Sequence, residues 1–576
     1  MRDSELLPAR PDRGPRLIDL RRILLAAFLG AAIAFSGLLS VRPASSQVVQ
    51  PSDTVLVKDH ARGIVTETVI EALADEAGER PDPAELADLV ISVKESVFDG
   101  LNPADYDLAR LEALQSRVHG AGRLDDRLAA DVADAMRRSF LKLAFDLRFG
   151  RGDIGGYDES WHFARGIDND SMAAELRRAL DRGPIRETLR SLRPQHPVYA
   201  GMREHLALYL RVRDAGGWRP IPADRPIMPG ARDDRVPFIR ETLSGMRDLP
   251  LPASRTSPVY DPILVTAVAR FQERHGLPVN DTVNASTLKA MSVPVEKRIE
   301  GLRANLERAR WFLRHSPDTA LYVNIPTFDA RLVAGDSVRW SGRVQVGMID
   351  RKTPVLHSTV QSLEFNPRWT VPKTILEKDI VPRMARGTNI VKRKNLVMYD
   401  FRGNPVDPLA VDWNKFSTAE RFPYLLRQDP GAGNALGRVK FVFPNEHGIY
   451  LHDTPSKSLF AKENRTLSSG CVRVENPFAL AAALLDDPAW TMDDVRRAAL
   501  GGTTRRVWLK RPMPIALTYW TATIDGEGRL IWYGDAYGTD PVVLAALRNA
   551  EEPDALFLAM QRKANPHSGD TSDVDF

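Results

Sequence analysis

The residues most able to do chemistry together lie close in the chain. Tyr450 and His452 fall in Gly448-Ile-Tyr-Leu-His-Asp-Thr-Pro455, and Cys471 falls in Leu467-Ser-Ser-Gly-Cys-Val-Arg-Val-Glu-Asn-Pro477. A thiol is a strong nucleophile only as thiolate, and a neighbouring imidazole can take its proton. The amides of Gly470 and Cys471 can face a developing oxyanion, because glycine permits the turn this needs. Arg473 falls on the cysteine's face if the strand continues past it. There its charge can lower the thiol pKa or bind a substrate carboxylate. Cys471 is the sole cysteine, so no internal disulfide forms. Its alternative reading is a small buried hydrophobe.

These groups need strands to hold them. In an extended segment Tyr450 and His452 share one face, while Ile449 and Leu451 take the other. The 19 residues from His452 to Cys471 suit a strand, a loop and a return strand. Asn476-Pro477 reads as an N-cap and first helical position, opening a helix to about Leu485 behind the site. No carboxylate is placed to orient His452, which leaves a backbone carbonyl for that task. His447 and His452 fall on opposite faces and match no metal-ligand spacing, so no metal site is expected.

Further alternating runs at Ala320–Ile325, Val344–Gly347, Gln361–Asn366 and Val439–Phe443 predict a β-sandwich or barrel-like domain. Tyr519–Ala522 and Leu530–Tyr533, joined through Asp525-Gly526, predict a hairpin that completes it. Between Thr374 and about Asn434 the pattern turns mixed and helix-biased, an insertion that could lie over the site. Trp369 and Trp413 read as core or lid anchors. Upstream, residues from about 61 to 215 are mainly helical, with a stripe at Leu128, Val132, Ala135, Met136, Phe140, Leu143 and Ala144. A small unit follows over 231–293. Asp261-Pro262 starts a helix whose Leu264, Val268 and Phe271 form one stripe, Gly276 ends it, and Ala285–Met291 is a second helix. A polar helix over 295–315 connects this unit to the strands.

Composition narrows the class. Of 576 residues, 43% are hydrophobic and 27% charged, which excludes a mostly disordered chain. The net charge is +4, and seven arginines against four acidic residues in 1–46 account for +3 of it. No basic face remains for nucleic acid. Ile23–Val41 is a 19-residue uncharged run after Arg21-Arg22, long enough for a signal-peptide core or a membrane anchor. Everything after about residue 47 is then expected outside the cytoplasmic membrane.

The arrangement His452…Ser469-Gly470-Cys471-Val472-Arg473 resembles the signature of L,D-transpeptidases with a YkuD-type catalytic domain. The resemblance extends to Asn366-Pro-Arg-Trp369, Arg427-Gln-Asp-Pro-Gly431, Asn434-Ala-Leu-Gly437 and Val439-Lys-Phe-Val-Phe-Pro-Asn445, which are similar to the large, lid-bearing members. So are Asp99-Gly-Leu-Asn-Pro-Ala-Asp-Tyr106 and Phe145-Asp-Leu-Arg-Phe-Gly150. Smaller members often carry His where this chain has Ser469. The stretch Ala267–Leu277 resembles peptidoglycan-binding domains, although Asn280-Asp281 and Asn284-Ala285 replace their usual glycines.

The resemblance implies a multidomain α+β chain. Its parts are a signal peptide or anchor (1–47), a helical scaffold domain (48–230) and a small helical peptidoglycan-binding-like domain (231–293). A connecting helix (294–315), a β-rich catalytic domain (316–546) with an inserted lid (about 374–434) and a tail (547–576) follow. It implies Cys471 as nucleophile, His452 as its base, and Gly470 and Cys471 amides as oxyanion hole. Tyr450, Arg473, Ser469 and Trp369 contact substrate, and no cofactor or metal is involved. The expected partners are peptidoglycan stem peptides and glycan, with cell-wall synthesis proteins, in the periplasm. The residues themselves specify cysteine acyl transfer. They leave open an amine acceptor, giving 3–3 cross-links, a water acceptor, giving an L,D-carboxypeptidase, or a silent wall-binding fold.

Overall fold

The computed structural model describes residues 81–548, except 122–123, 153, 156–157, 159, 163–168, 182, 251–255, 315 and 417–421. The apolar run Ile23–Val41, the residues up to 80 and almost all of the tail lie outside the described residues. Among the described residues, no helix is long and apolar enough to cross a membrane.

The helical region comprises α1 (Pro83–Glu95), α2 (Leu108–Gly120), α3 (Asp126–Phe149), α4 (Asn169–Leu180), α5 (Ile185–Ser191) and α6 (Pro197–Asp214). The Asp125 carboxylate accepts from the Leu128 amide at 2.7 Å and starts α3, whose expected stripe is buried. The small unit contains α7 (Val236–Gly245), α8 (Pro262–Arg274) and α9 (Ala285–Met291). Asp261 caps α8 by accepting from Leu264 at 2.9 Å. Leu264, Val268 and Phe271 are fully buried, and Gly276 leaves the helix at φ 63°.

The next helix, α10 (Val295–Phe312), connects the small unit to the strands as expected, and several of its polar residues are buried. Arg298, Asn305, Glu307, Arg308 and Arg310 are all buried. Their polarity hides their position because each is paired. Arg310 Nε and Nη2 both donate to Glu307 Oε2, and Nη1 donates to the Asp99 carbonyl at 2.7 Å. Glu307 also accepts from the Gly152 amide at 2.7 Å. Arg308 reaches Asp540 and Thr539 in and beside α13 (Asp540–Leu547). One helix thus ties the helical region to the C-terminal part of the chain.

The β domain uses β1 (Thr319–Asn324), β2 (Asp329–Ala334), β3 (Ser337–Gly347), β4 (Leu356–Phe365), β9 (Val439–Val442), β10 (Leu451–His452), β11 (Thr466–Ser468), β12 (Val472–Val474) and β13 (Arg505–Thr518). Their order is β11-β3-β12-β10-β9-β4-β13-β1-β2, and β2 also pairs with β3. The sheet therefore closes on itself, the barrel-like of the two expected forms. Closure rests on the length of β3. Its first half pairs with β2, then Val344 and Gln345 pair with β12, and Val346 and Gly347 with β11. Helices α11 (Pro477–Leu485) and α12 (Met492–Leu500) follow β12. Asn476 precedes Pro477 as expected but makes no side-chain cap.

One expectation needs correction. The hairpin strands are β14 (Ala522–Ile524) and β15 (Leu530–Trp532), and they form a separate two-stranded sheet. Ala522, Ile524, Leu530 and Trp532 pack into the core of the small helical unit, so the hairpin fastens that unit rather than completing the barrel. Residues 366–438, between β4 and β9, are mixed and helix-biased as expected, with helical turns at Lys373–Ile375, Leu376–Ile380, Val381–Ala385 and Ile390–Arg393. They hold β5 (Trp369–Thr370), β6 (Val397–Asp400), β7 (Pro405–Val406) and β8 (Tyr424–Gln428), ordered β5-β8-β6-β7. This inserted subdomain has its own core around Trp369, Ile380, Met398, Trp413 and Leu426.

Replacing Glu307 by leucine strands the buried Arg310. Denaturant unfolding should show a loss of about 3–5 kcal/mol. Glu112→Gln, on the surface, should change stability by less than about 0.5 kcal/mol.

Candidate active site

Strand β10 has two residues, and its neighbours define the site. It runs antiparallel to β9, with Leu451 opposite Phe441 and His452 opposite Lys440. It runs parallel to β12, with Leu451 beside Val472 and His452 beside Arg473. Paired residues share a face of the sheet. Leu451, Phe441 and Val472 are fully buried in the main core. The opposite face carries a row of polar side chains across six strands: Gln345, Arg473, His452, Lys440, Glu364 and Arg506. One residue back, the Val472 amide donates to the Tyr450 carbonyl at 3.2 Å, which sets Cys471 beside Tyr450.

His452 is buried, and its Nδ1 lies 2.5 Å from the Asp453 carbonyl. A carbonyl only accepts, so Nδ1 carries the proton and Nε2 the lone pair. The orienting group is thus a backbone carbonyl, as expected. Asp453 is itself fixed. Its carboxylate accepts from the Arg438 amide at 2.8 Å and pairs with Lys457, and its amide donates to Val439 at 2.8 Å. Burial, then the Arg473 charge, pushes the His452 pKa down to about 3. The resting imidazole is neutral.

Cys471 is half-buried, and its thiol faces the Gly448 carbonyl at 3.9 Å. Burial pushes the thiol up, against the Tyr450 amide, the Lys440 charge, the Tyr450 hydroxyl and Arg473. At rest the thiol is also neutral. Burial, then the charge on Cys471, also pushes the Tyr450 phenol up. The Trp369 indole of the inserted subdomain pulls the Tyr450 phenol the other way, toward its charged form.

The other expected residues fall as follows. Gly470 has φ 115°, which only glycine adopts freely, but its amide donates to Ser468 Oγ at 3.2 Å. That amide is therefore engaged rather than presented as an oxyanion donor. The Gly470 carbonyl accepts from Thr353 Oγ1 at 2.7 Å. In a trans peptide the following N–H points the opposite way, so Thr353 aims the Cys471 amide. Ser469 Oγ accepts from Arg351 at 3.0 Å. Arg473 is buried, with Nη1 3.3 Å from Gln345 Oε1, so it acts on Cys471 and His452 through its field. Trp369 is buried in the subdomain core.

Sequence reading missed Lys440. Its Nζ lies 4.0 Å from the Tyr450 ring centroid, and it is half-buried beside the thiol. The alternation Val439-Lys440-Phe441 carried the signal, since a lysine between two core residues must point to the site face. Burial lowers the Lys440 pKa, and the charges of Glu364 and Cys471 oppose that. Thr353 and Arg351 left no local signal, because their partners are more than a hundred residues away.

Lys440 favours the thiolate, so removing its charge must raise the Cys471 pKa further. Lys440→Gln should move the pH profile of iodoacetamide alkylation to higher pH and slow alkylation at neutral pH. An unchanged profile would show that Lys440 does not act on the thiol.

Residues 318–499 match the YkuD family, an L,D-transpeptidase catalytic domain. Residues 78–206 match the family described as a Scaffold domain, and 233–291 a "Putative peptidoglycan binding domain". A "Putative L,D-transpeptidase" of Haemophilus influenzae is 36% identical over 255 residues, which are 43% of this chain. The chain spans about half the length of that curated relative (50%). The site described above lies inside the first match, and the buried helix α10 separates it in sequence from the other two. Along the chain, the matches thus run from a Scaffold domain through a peptidoglycan-binding-type domain to a YkuD-type L,D-transpeptidase catalytic domain.

Proposed function

We propose that the protein is a peptidoglycan L,D-transpeptidase that forms 3–3 cross-links through a thioester on Cys471. The observation that carries this is the placement of Cys471 beside Tyr450, two residues along the strand from a neutral His452, within the matched catalytic domain. The donor is a tetrapeptide stem. His452 Nε2 takes the thiol proton as Sγ attacks the carbonyl of the third stem residue. The Cys471 amide, aimed by Thr353, donates to the oxyanion, and the Gly470 amide joins it on leaving Ser468. The C–N bond to the terminal D-alanine breaks, and the imidazolium returns its proton to the departing amine. A side-chain amine of a second stem then attacks the thioester. His452 takes that amine's proton, the amide forms and the thiol is regenerated.

The inserted subdomain serves as the lid. Its Trp369 reaches Tyr450, and a covered thioester favours an amine acceptor over water. The 233–291 domain holds the glycan, and residues 1–47 deliver the enzyme to the periplasm as a cleaved signal or a retained anchor. Cell-wall synthesis proteins are its partners there.

Intact mass spectrometry of residues 48–576 with a carbapenem should show a mass gain that Cys471→Ala abolishes. No gain on folded wild-type protein would overturn acyl transfer. With disaccharide-tetrapeptide, dimers should accumulate. Tripeptide alone would make water the acceptor. His452→Ala should slow acylation by about 10²–10⁴-fold, the range for a lost general base.

A further inference from the structure

The loop that carries the nucleophile is held, residue by residue, by the turn that follows β3. The Met348 amide donates to the Ser468 carbonyl at 2.9 Å. Arg351 Nη1 donates to Ser469 Oγ at 3.0 Å. Thr353 Oγ1 donates to the Gly470 carbonyl at 2.7 Å, and itself accepts from the Gly347 amide at 2.8 Å. Gly347 lets the turn fold this tightly, since a Cβ there would lie 2.1 Å from the Arg351 carbonyl.

Arg351 is the one member of this clasp whose side chain also leaves the barrel. Its Nη2 donates to Asp379 Oδ1 at 2.9 Å, and Nη1 donates to the other carboxylate oxygen. Asp379 belongs to the inserted subdomain, in the helical turn Leu376–Ile380. The pair is enclosed, with side-chain exposures of 6% for Arg351 and 1% for Asp379. A guanidinium is a rigid planar fork, so a carboxylate on both terminal nitrogens fixes the directions of its other N–H groups. The second N–H on Nη1 points at Ser469, the residue before the Gly470-Cys471 peptide.

We propose that Asp379 is a positioning residue for acylation, acting through Arg351 on Ser469 to set the loop that presents Cys471 and its amide. The subdomain thereby supplies part of the active-site geometry and does more than cover the site. This inference rests on the acyl-transfer reading above.

The test compares Asp379→Asn, Ser469→Ala, Arg351→Lys and the Asp379→Asn/Ser469→Ala double variant in residues 48–576. Carbapenem acylation needs the thiolate and the oxyanion donors, whereas iodoacetamide alkylation needs the thiolate alone. Each single variant should slow acylation by about ten- to hundredfold, the effect of a small misplacement of reacting groups. Alkylation should keep its wild-type rate. The double variant should be no slower than the slower single one, because both cut the same link. Arg351→Lys keeps the charge beside Asp379 but loses the fork, and should behave like Ser469→Ala.

Equal slowing of acylation and alkylation, multiplying effects in the double variant, or wild-type acylation in Ser469→Ala would each overturn the proposal. If Asp379→Asn fails to fold, Ser469→Ala and Arg351→Lys decide it. If wild-type protein is not acylated, the acyl-transfer reading fails, and amide hydrogen exchange over 466–472 decides the coupling. Faster exchange in Ser469→Ala and Arg351→Lys upholds it, and unchanged exchange overturns it.

Discussion

The parallel pairing of β10 with β12 sets the site, because it alone brings Tyr450 beside Cys471 and His452 beside Arg473. Parallel neighbours cannot be joined by a tight turn, so residues 453–471 make a long connection, and on the way back 466–468 pair with β3 as β11. Strands of two and three residues make few ladder bonds of their own. The surroundings supply the rest. The Asn445 side chain accepts from the Ile449 amide at 2.9 Å and donates to its carbonyl at 2.7 Å, bracing the chain just before β10. Asp453 braces the chain just after it, through Val439, Arg438 and Lys457. A displacement of either brace would move the imidazole and the thiol relative to each other.

The charge distribution around this pairing explains why the resting site is quiet. Lys440 and Arg473 both favour a thiolate, yet burial outweighs them and keeps the thiol protonated. The same cations and the same burial keep His452 neutral. No carboxylate hydrogen bond to His452 is seen among the described residues, so no acidic partner offsets the burial and the cations that disfavour an imidazolium. Glu364, the carboxylate in the polar row, is paired to Arg506 at 2.9 Å instead. Thiol and imidazole are thus both neutral at rest, while the cations favour the thiolate.

Local physics was readable and cross-sheet physics was not. The Asp261 cap, the Leu264–Val268–Phe271 stripe and helix Pro477–Leu485 each depend on residues within one or two turns, and sequence located them. His452 and the Ser-Gly-Cys segment stood out because their types are rare together. The burial of helix α10 was not readable, because buried charges look exposed until their partners are seen. Strand β13 went unread because Arg, Lys and two prolines break its pattern, and the register shift between Trp508 and Met513 accommodates them. The strands of the insertion are too short to show a period. The engagement of Gly470 by Ser468, and the roles of Thr353 and Lys440, follow from which chains lie side by side.

The site of the insertion has its own logic. Strands β4 and β9 are antiparallel neighbours, with Phe365 opposite Val439, a connection that a short hairpin could close. The ends remain closed despite residues 366–438 between them. The Asn366 amide donates to the Arg438 carbonyl at 2.9 Å, and the Asn366 side chain bonds Arg438 and the Ala498 carbonyl. Because loop-closure entropy grows only slowly with length, a subdomain that folds around its own core adds little cost there. The location matters more than the size. Strand β9 carries Lys440 and flanks β10, so anything inserted beside it starts next to the thiol. Trp369, three residues into the insertion, meets Tyr450 on one side of Cys471, and Asp379, farther along, meets Arg351 on the other. Two contacts from one folded unit, on two supports of the same residue, make the position of that unit a condition on the geometry of the nucleophile.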